Sequence, residues 1–342
     1  LATGKKDIIA FEGAYHGLGY GALAATQAST YITFSSDMIT DMSGAAVNPV
    51  SREQVEIYGT VEEAAVLSYT LDLVAGHLNM TFSGVVDTST LNPTYITLHN
   101  SGTVSASGGS KFTLTADSET NSLSGFFMLI ELCDADLNAI KRRRLLCTSE
   151  ADTFMSLDAL ALRDLAARQI LPIDEATGLL QVSGFTADTT PPVLNSFEFT
   201  AHPGTITMVF SEVVDLTTFD VESIAIHSSQ GSSSTSRLLT GGTYSPMTVG
   251  ITVTVTLTPA DLNAIKYDAA LAINEQTTNI VINSSLVNDL AGNPVTAIGV
   301  DAAQVTSDYT EDGEAPTLVL FDLDLTAEIL RLSFSETVRF GT

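Results

Sequence analysis

Residues 251–266 read Ile-Thr-Val-Thr-Val-Thr-Leu-Thr-Pro-Ala-Asp-Leu-Asn-Ala-Ile-Lys. The first half alternates: Ile251, Val253, Val255 and Leu257 share one face, and Thr252, Thr254, Thr256 and Thr258 the other. Successive side chains of a strand point to opposite faces, so this period of two predicts a strand with one side in a core and one in solvent. The second half changes period. Leu262 and Ile265 are three apart and Asp261 stands at the start, where a carboxylate can satisfy free N–H groups. That predicts a short helical turn whose Leu and Ile plug one end of a β core. Ala-Asp-Leu-Asn-Ala-Ile-Lys also occurs at 135–141, 125 residues earlier, with Asp136 in the place of Asp261.

Other markers recur in step. Phe82-Ser83-Gly84-Val85-Val86-Asp87 returns as Phe210-Ser211-Glu212-Val213-Val214-Asp215 and as Phe334-Ser335-Glu336-Thr337-Val338. Asp188-Thr189-Thr190-Pro191-Pro192-Val193-Leu194 matches Asp312-Gly313-Glu314-Ala315-Pro316-Thr317-Leu318. Proline fixes φ and extends its predecessor, so these stretches read as boundaries. Asp41-Met42-Ser43-Gly44, Asp164-Leu165-Ala166-Ala167 and Asp289-Leu290-Ala291-Gly292-Asn293 mark a late tight turn. The map is then the back part of a repeat over residues 1–66, with 1–21 atypical, whole repeats over 67–190 and 191–314, and the front of another over 315–342. Many short strands per repeat, Thr, Ser, Val, Ile and Leu in the periodic segments and no Trp predict an all-β chain. Its expected form is a tandem series of immunoglobulin-like β-sandwiches of about 125 residues.

Charge limits the partners. Lys and Arg total 14 against 40 Asp and Glu, a net charge of −26. Nucleic acid and anionic membrane surfaces would be repelled. No run of 18 apolar residues is present to span a bilayer as a helix. The segment opens on Leu1 without a basic and apolar leader, so any secretion signal is expected outside it. Cys133 and Cys147 flank the helical turn of one repeat, and Thr258 and Ala272 replace both in the next. The pair reads either as an optional disulfide clamp, implying an oxidising compartment, or as two free thiols. Asn79-Met80-Thr81 and Asn283-Ser284-Ser285 fit the N-glycan acceptor pattern.

The search for chemistry finds little. His16, His77, His99, His202 and His227 form no pair with ligand spacing, and His99 and His227 are repeat equivalents, which favours a structural origin. Asp188, Glu212, Asp215 and Asp289 have acidic counterparts in Asp312, Glu336, Asp87 and Asp41. Carboxylates near repeat boundaries can bind Ca²⁺, which takes six to eight oxygen ligands; the same aspartates can also simply cap turns. Arg142-Arg143-Arg144 is a lone basic run, read as an exposed loop or a contact for an acidic neighbour.

The boundary Asp-x-x-Pro-Pro-x-Leu, the Phe-Ser-Glu-x-Val-Asp strand end and the Asp-Leu-Ala-Gly-Asn turn resemble bacterial Ig-like (Big, SbsA-type) repeats of surface and adhesin proteins, over roughly residues 22–342. The Asp-Leu-Asn-x-Ile-Lys turn looks closer to protist arrays such as mastigoneme components. A second resemblance covers about 20 residues: Ile8-Ile9-Ala10-Phe11-Glu12-Gly13-Ala14-Tyr15-His16-Gly17 looks like the cofactor-side segment of class III pyridoxal-phosphate aminotransferases, with Tyr15 and His16 beside the ring. The rest of that fold is missing, and Lys141 and Lys266 belong to the repeat.

The expectation is a non-enzymatic structural subunit of an extracellular filament, appendage or surface layer, partnered by copies of itself, other filament subunits or glycans. A calcium-dependent cell-surface adhesin stalk is the alternative, and an aminotransferase-related fragment the minor one.

Overall fold

The computed structural model describes residues 63–103, 109–174 and 178–338, with short stretches between 31 and 54. In those stretches Tyr31–Phe34 pairs antiparallel with Val50–Gln54. Asp41, most of the half-repeat expected over 1–66, and Tyr15 and His16 lie outside the described residues. The chain divides into two compact units, Leu1–Ala187 and Asp188–Thr342. The described residues are mainly strands in several sheets, with two α-helices, so the all-β expectation holds.

In the second unit, one sheet runs in the order Gly242–Ser245, Val249–Leu257, Thr205–Asp215, Leu194–Thr200, Asp308–Thr310. The other runs Ser236–Leu238, Ile224–His227, Asn279–Ile282, Gln304–Val305. The predicted alternation decides which atoms meet: Ile206 pairs with Val255, and Met208 with Val253 and Phe197. All five are completely buried, together with Ile224, Ile226 and Ile280 of the second sheet. Each such side chain contributes about 1.5–3 kcal/mol by leaving water. On the outer face Thr207 and Thr254 share a hydroxyl contact of 3.1 Å.

The first unit repeats this plan. Gly184–Thr186, Val66–Asp72, His77–Asp87 and Gly125–Glu131 form one sheet, and Leu180–Gln181, Phe154–Leu157, Ile96–His99 and Lys111–Thr113 the other. In both sandwiches the closing strand runs parallel to the opening one, Gly184–Thr186 beside Val66–Asp72 and Asp308–Thr310 beside Leu194–Thr200: Phe185 lies opposite Leu71, and Tyr309 opposite Phe199. Every other strand pairing is antiparallel among the described residues.

The Phe-Ser-Glu marker sits on a bulge. The ladder to Val249–Leu257 shifts register between Val209 and Val214, and beyond the shift Val214 also faces Asp289. Three extra residues on this strand break the period of two, so Glu212, Val213, Val214 and Asp215 are buried in succession. The first unit shifts at the same place, between Thr81 and Val86, around Gly84.

The helical turns are α1 (Asp134–Lys141) and α2 (Pro259–Tyr267). Ile140 and Ile265 are buried and Leu137 and Leu262 half-buried against the cores, as the plug predicts. The caps differ from expectation. Cys133 Sγ and Thr258 Oγ1 accept the free N–H groups of Asp136 and Asp261. The aspartates lie three residues inside, fully buried, and serve the neighbouring loop instead. Of the two readings left open by the sequence, a disulfide or two free thiols, this structure holds Cys133 and Cys147 as free thiols. Their repeat equivalents explain them separately: Cys133 caps as Thr258 does, while Cys147 and Ala272 are buried at φ of 54° and 50°. Burial pushes the Cys147 thiol up to about 12.

A last hairpin, Leu318–Asp324 with Ile329–Phe334, keeps the register of its predecessor: Leu318 faces Phe334 as Leu194 faces Phe210. Here both faces are exposed. Phe321 is 60% exposed where its equivalent Phe197 is 0%.

Candidate functional site

Three of the four acidic residues singled out as cation ligands come together. Asp188 precedes the first strand of the second unit, the bulge turns Glu212 inward, and Asp289 pairs beside Val214. Their carboxylate oxygens lie within 4.8 Å of one another, and all three side chains are largely buried. The Asp-Leu-Ala-Gly-Asn turn fixes Asp289. Gly292 takes φ +94°, which L side chains rarely adopt. Asn293 then donates to Asp289 twice, from its backbone N–H and its Nδ2, each at 2.7 Å. The same Nδ2 reaches the Asp188 carbonyl at 3.2 Å.

Asp215 does not join them. Its Oδ1 accepts from Thr217 N–H and Oγ1 at 3.1 and 2.6 Å, capping the short turn Leu216–Thr218. Asp87 treats Ser89 the same way in the first unit. A strand end followed by Asp-x-Thr or Asp-x-Ser was enough to signal this role.

Among the described residues the first unit shows no such acidic grouping. Gly84 stands at the Glu212 position, and Arg168, 125 residues before Asn293, donates its guanidinium to Asp164 at 2.6 and 2.8 Å. One carboxylate there has one cation.

A second cluster went unnoticed in the sequence. Lys266, in the last turn of α2, donates its Nζ to Asp312 Oδ2 and, at 3.0 Å, to Glu336 Oε2. These carboxylates are the repeat equivalents of Asp188 and Glu212, each 124 residues on. Burial alone would lower the Lys266 pKa, but the two carboxylates more than offset it and hold it above 10.5. The Lys266 contact leads in holding Asp312 below 3.8. Phe199, Leu262, Ile265, Leu271 and Tyr309 line a cavity of about 340 Å³ next to this cluster. The recurrence of Lys at 141 and 266 was the available signal; its partners lie 46 and 70 residues away.

The remaining candidates are dispersed. His99 Nε2 meets Ser156 Oγ at 2.8 Å, and His227 Nδ1 meets Ser234 Oγ at 2.9 Å. The equivalent histidines thus use different ring nitrogens and non-equivalent serines, so the pairs are no repeated constellation. Asn79 and Asn283 are both exposed. Asn283 Oδ1 also accepts from Ser285 N–H at 2.9 Å.

No family model and no curated protein matches the chain. Among solved structures it is similar to the S-layer protein rSbsC(31–844), at 11% identity and a TM-score of 0.24, over 80% of this chain and 32% of that one. It is also similar to the N-terminal part of the bacterial S-layer protein SbsC, at 12% identity and a TM-score of 0.21, over 58% and 44%. The chain thus spans under half the length of either. Among the described residues no helix is long and apolar enough to cross a membrane.

Proposed function

We propose that the chain is a non-enzymatic structural protein, a tandem array of immunoglobulin-like sandwiches forming a subunit of an extracellular filament, appendage or surface layer. One observation carries this reading. Two copies of one sequence pattern build two units with the same paired sheets, parallel closing strand and capped helix, and the recurring residues go into core, bulge, cap and turn. Such a unit sets length by repetition, and its contacts would be with copies of itself or other filament subunits. Exposed Asn79 and Asn283 are the proposed glycan positions on a cell-surface assembly; a mass shift of their peptides after deglycosylation checks this. Electron microscopy of native material is expected to show regular filaments or layers, and dispersed monomers would refute the reading.

A second reading, a calcium-dependent adhesin stalk, is favoured by the acidic grouping alone. Two oxygens on one Ca²⁺, each at about 2.4 Å, sit at most about 4.8 Å apart, and Asp188, Glu212 and Asp289 meet that limit. When bound, the ion would neutralise their crowded charge. On this reading Ca²⁺ raises the melting temperature and chelation lowers it; a melt indifferent to both rejects it.

A further inference from the structure

We propose that Lys266 is a latch between repeats, its ammonium on α2 gripping the boundary carboxylate Asp312 and the strand-end carboxylate Glu336 of the hairpin that follows. Three observations support it. First, the side chains of Lys266, Glu336 and Asp312 are 15%, 16% and 21% exposed. Lysine is seldom so covered unless paired, and partial burial protects the pairs from screening by salt. Second, the boundary is otherwise lightly held: Thr337 Oγ1 reaches the Asn263 carbonyl at a long 3.5 Å. The cavity of about 340 Å³ is lined by Lys266, Asp312 and Glu336 themselves, so the ion pairs bridge an otherwise unfilled gap. Third, the sequence keeps or drops the parts together. Lys141, Asp188 and Glu212 recur 124–125 residues before Lys266, Asp312 and Glu336. Where Gly84 replaces the glutamate, the position 248 residues before Lys266 is Leu18.

Asp312 also accepts the Glu314 N–H at 3.0 Å through its other oxygen, which aims Oδ2 at the ammonium. Glu311 and Tyr309 are the other titratable groups close by. A single lysine thus meets a need for positive charge at a paired carboxylate, and the repeat follows its neighbour at a set angle instead of swinging on its Pro-marked linker. This deepens the array reading but is tested apart from it.

The test is amide hydrogen exchange on the full chain with Lys266→Met, which keeps most of the stem and removes the charge. Exchange over residues 318–334 is expected to rise about tenfold, as local opening without the latch becomes easier. Protection of residues 205–209 and 252–256 should be unchanged, showing that the unit still folds. Unchanged exchange in the hairpin would overturn the latch. Lys266→Glu should loosen the hairpin further, and adding Asp312→Lys should restore protection; failure of this swap to restore it would overturn the ionic mechanism. Monomers seen by microscopy together with a working latch would reject the filament, not the latch.

Discussion

Replacing Arg237 by Phe should destabilise the second unit by about 2–3 kcal/mol. Arg237 donates Nε and Nη2 to Asp261 Oδ1 at 2.9 and 2.6 Å, and Asp261 is fully buried. Thr240 adds its N–H to Oδ2 at 2.9 Å and its hydroxyl to both oxygens at 3.1 Å, and Thr258 Oγ1 donates to Oδ2 at 3.0 Å. Without the guanidinium, Oδ1 keeps one long hydroxyl contact. Net charged hydrogen bonds are each worth about 1.5–3 kcal/mol, and the partial exposure of Arg237, 32%, argues against simply adding two of them. The first unit contains the inverse experiment. Phe112 occupies the Arg237 position, 125 residues earlier, and Asp136 Oδ1 is buried without a partner among the described residues. Phe112→Arg should therefore stabilise that unit by about 1 kcal/mol: an orphaned acceptor costs about 1–3, less about 0.5–1 for the stacking of Arg143 on the Phe112 ring at 4.8 Å. Urea denaturation followed by unit-resolved hydrogen exchange measures both. The pH dependence adds a check. Burial pushes the Asp261 pKa up, but the donors from Thr240, Arg237 and Thr258 bring it below 3.8. A depressed carboxylate contributes stability that is complete above its unfolded value and is lost as pH falls through its folded value. The difference between wild type and Arg237→Phe should thus persist at neutral pH and shrink below about pH 3.8. A loss under about 0.5 kcal/mol at pH 7, or one equally large in strong acid, would refute the reasoning.

Thiol labelling of the native protein should modify Cys133 and spare buried Cys147, whose thiol is pushed up to about 12, while denaturant exposes both; two sites inert until reduction would mean a disulfide. Cys133→Thr, copying the Thr258 cap, should be neutral in thermal melts, whereas Cys133→Ala should cost about 0.5–2 kcal/mol. Gly204→Ala should lower the melting temperature of the second unit, because φ is +90° and a Cβ would stand 2.6 Å from Leu262 Cδ2; an unchanged melt would show that α2 yields there. Asn293→Ala, which keeps the backbone N–H to Asp289 but removes the Nδ2 that donates to the Asp289 carboxylate and the Asp188 carbonyl, should cost about 1–3 kcal/mol by urea denaturation.

Much of this molecule is periodic and local, and that part was legible. Ile206, Met208, Val253 and Val255 are core because their neighbours alternate with them. The repeat equivalences had grouped Asp188, Glu212, Asp215 and Asp289, and three of these four come together while Asp215 caps its own turn. The cap was misplaced because Cys133 and Asp136, like Thr258 and Asp261, all carry atoms able to accept at a helix start. Only the loop beside the helix, with Thr115 and Thr240 N–H each 2.9 Å from an aspartate Oδ2, draws the carboxylates away.

Sequence by itself therefore determined the strands, the repeat length, the helical plug and the turn chemistry of Asp87 and Asp215, since each follows from residues within a few positions of one another. Tertiary structure alone decided that a register shift buries Glu212, that the closing strands run parallel, and that Lys266 finds Asp312 and Glu336. The physical reason is shared. Burial and charge pairing depend on which backbone lies alongside, and those partners are set by closing loops of tens of residues, where local preference says nothing of who meets whom.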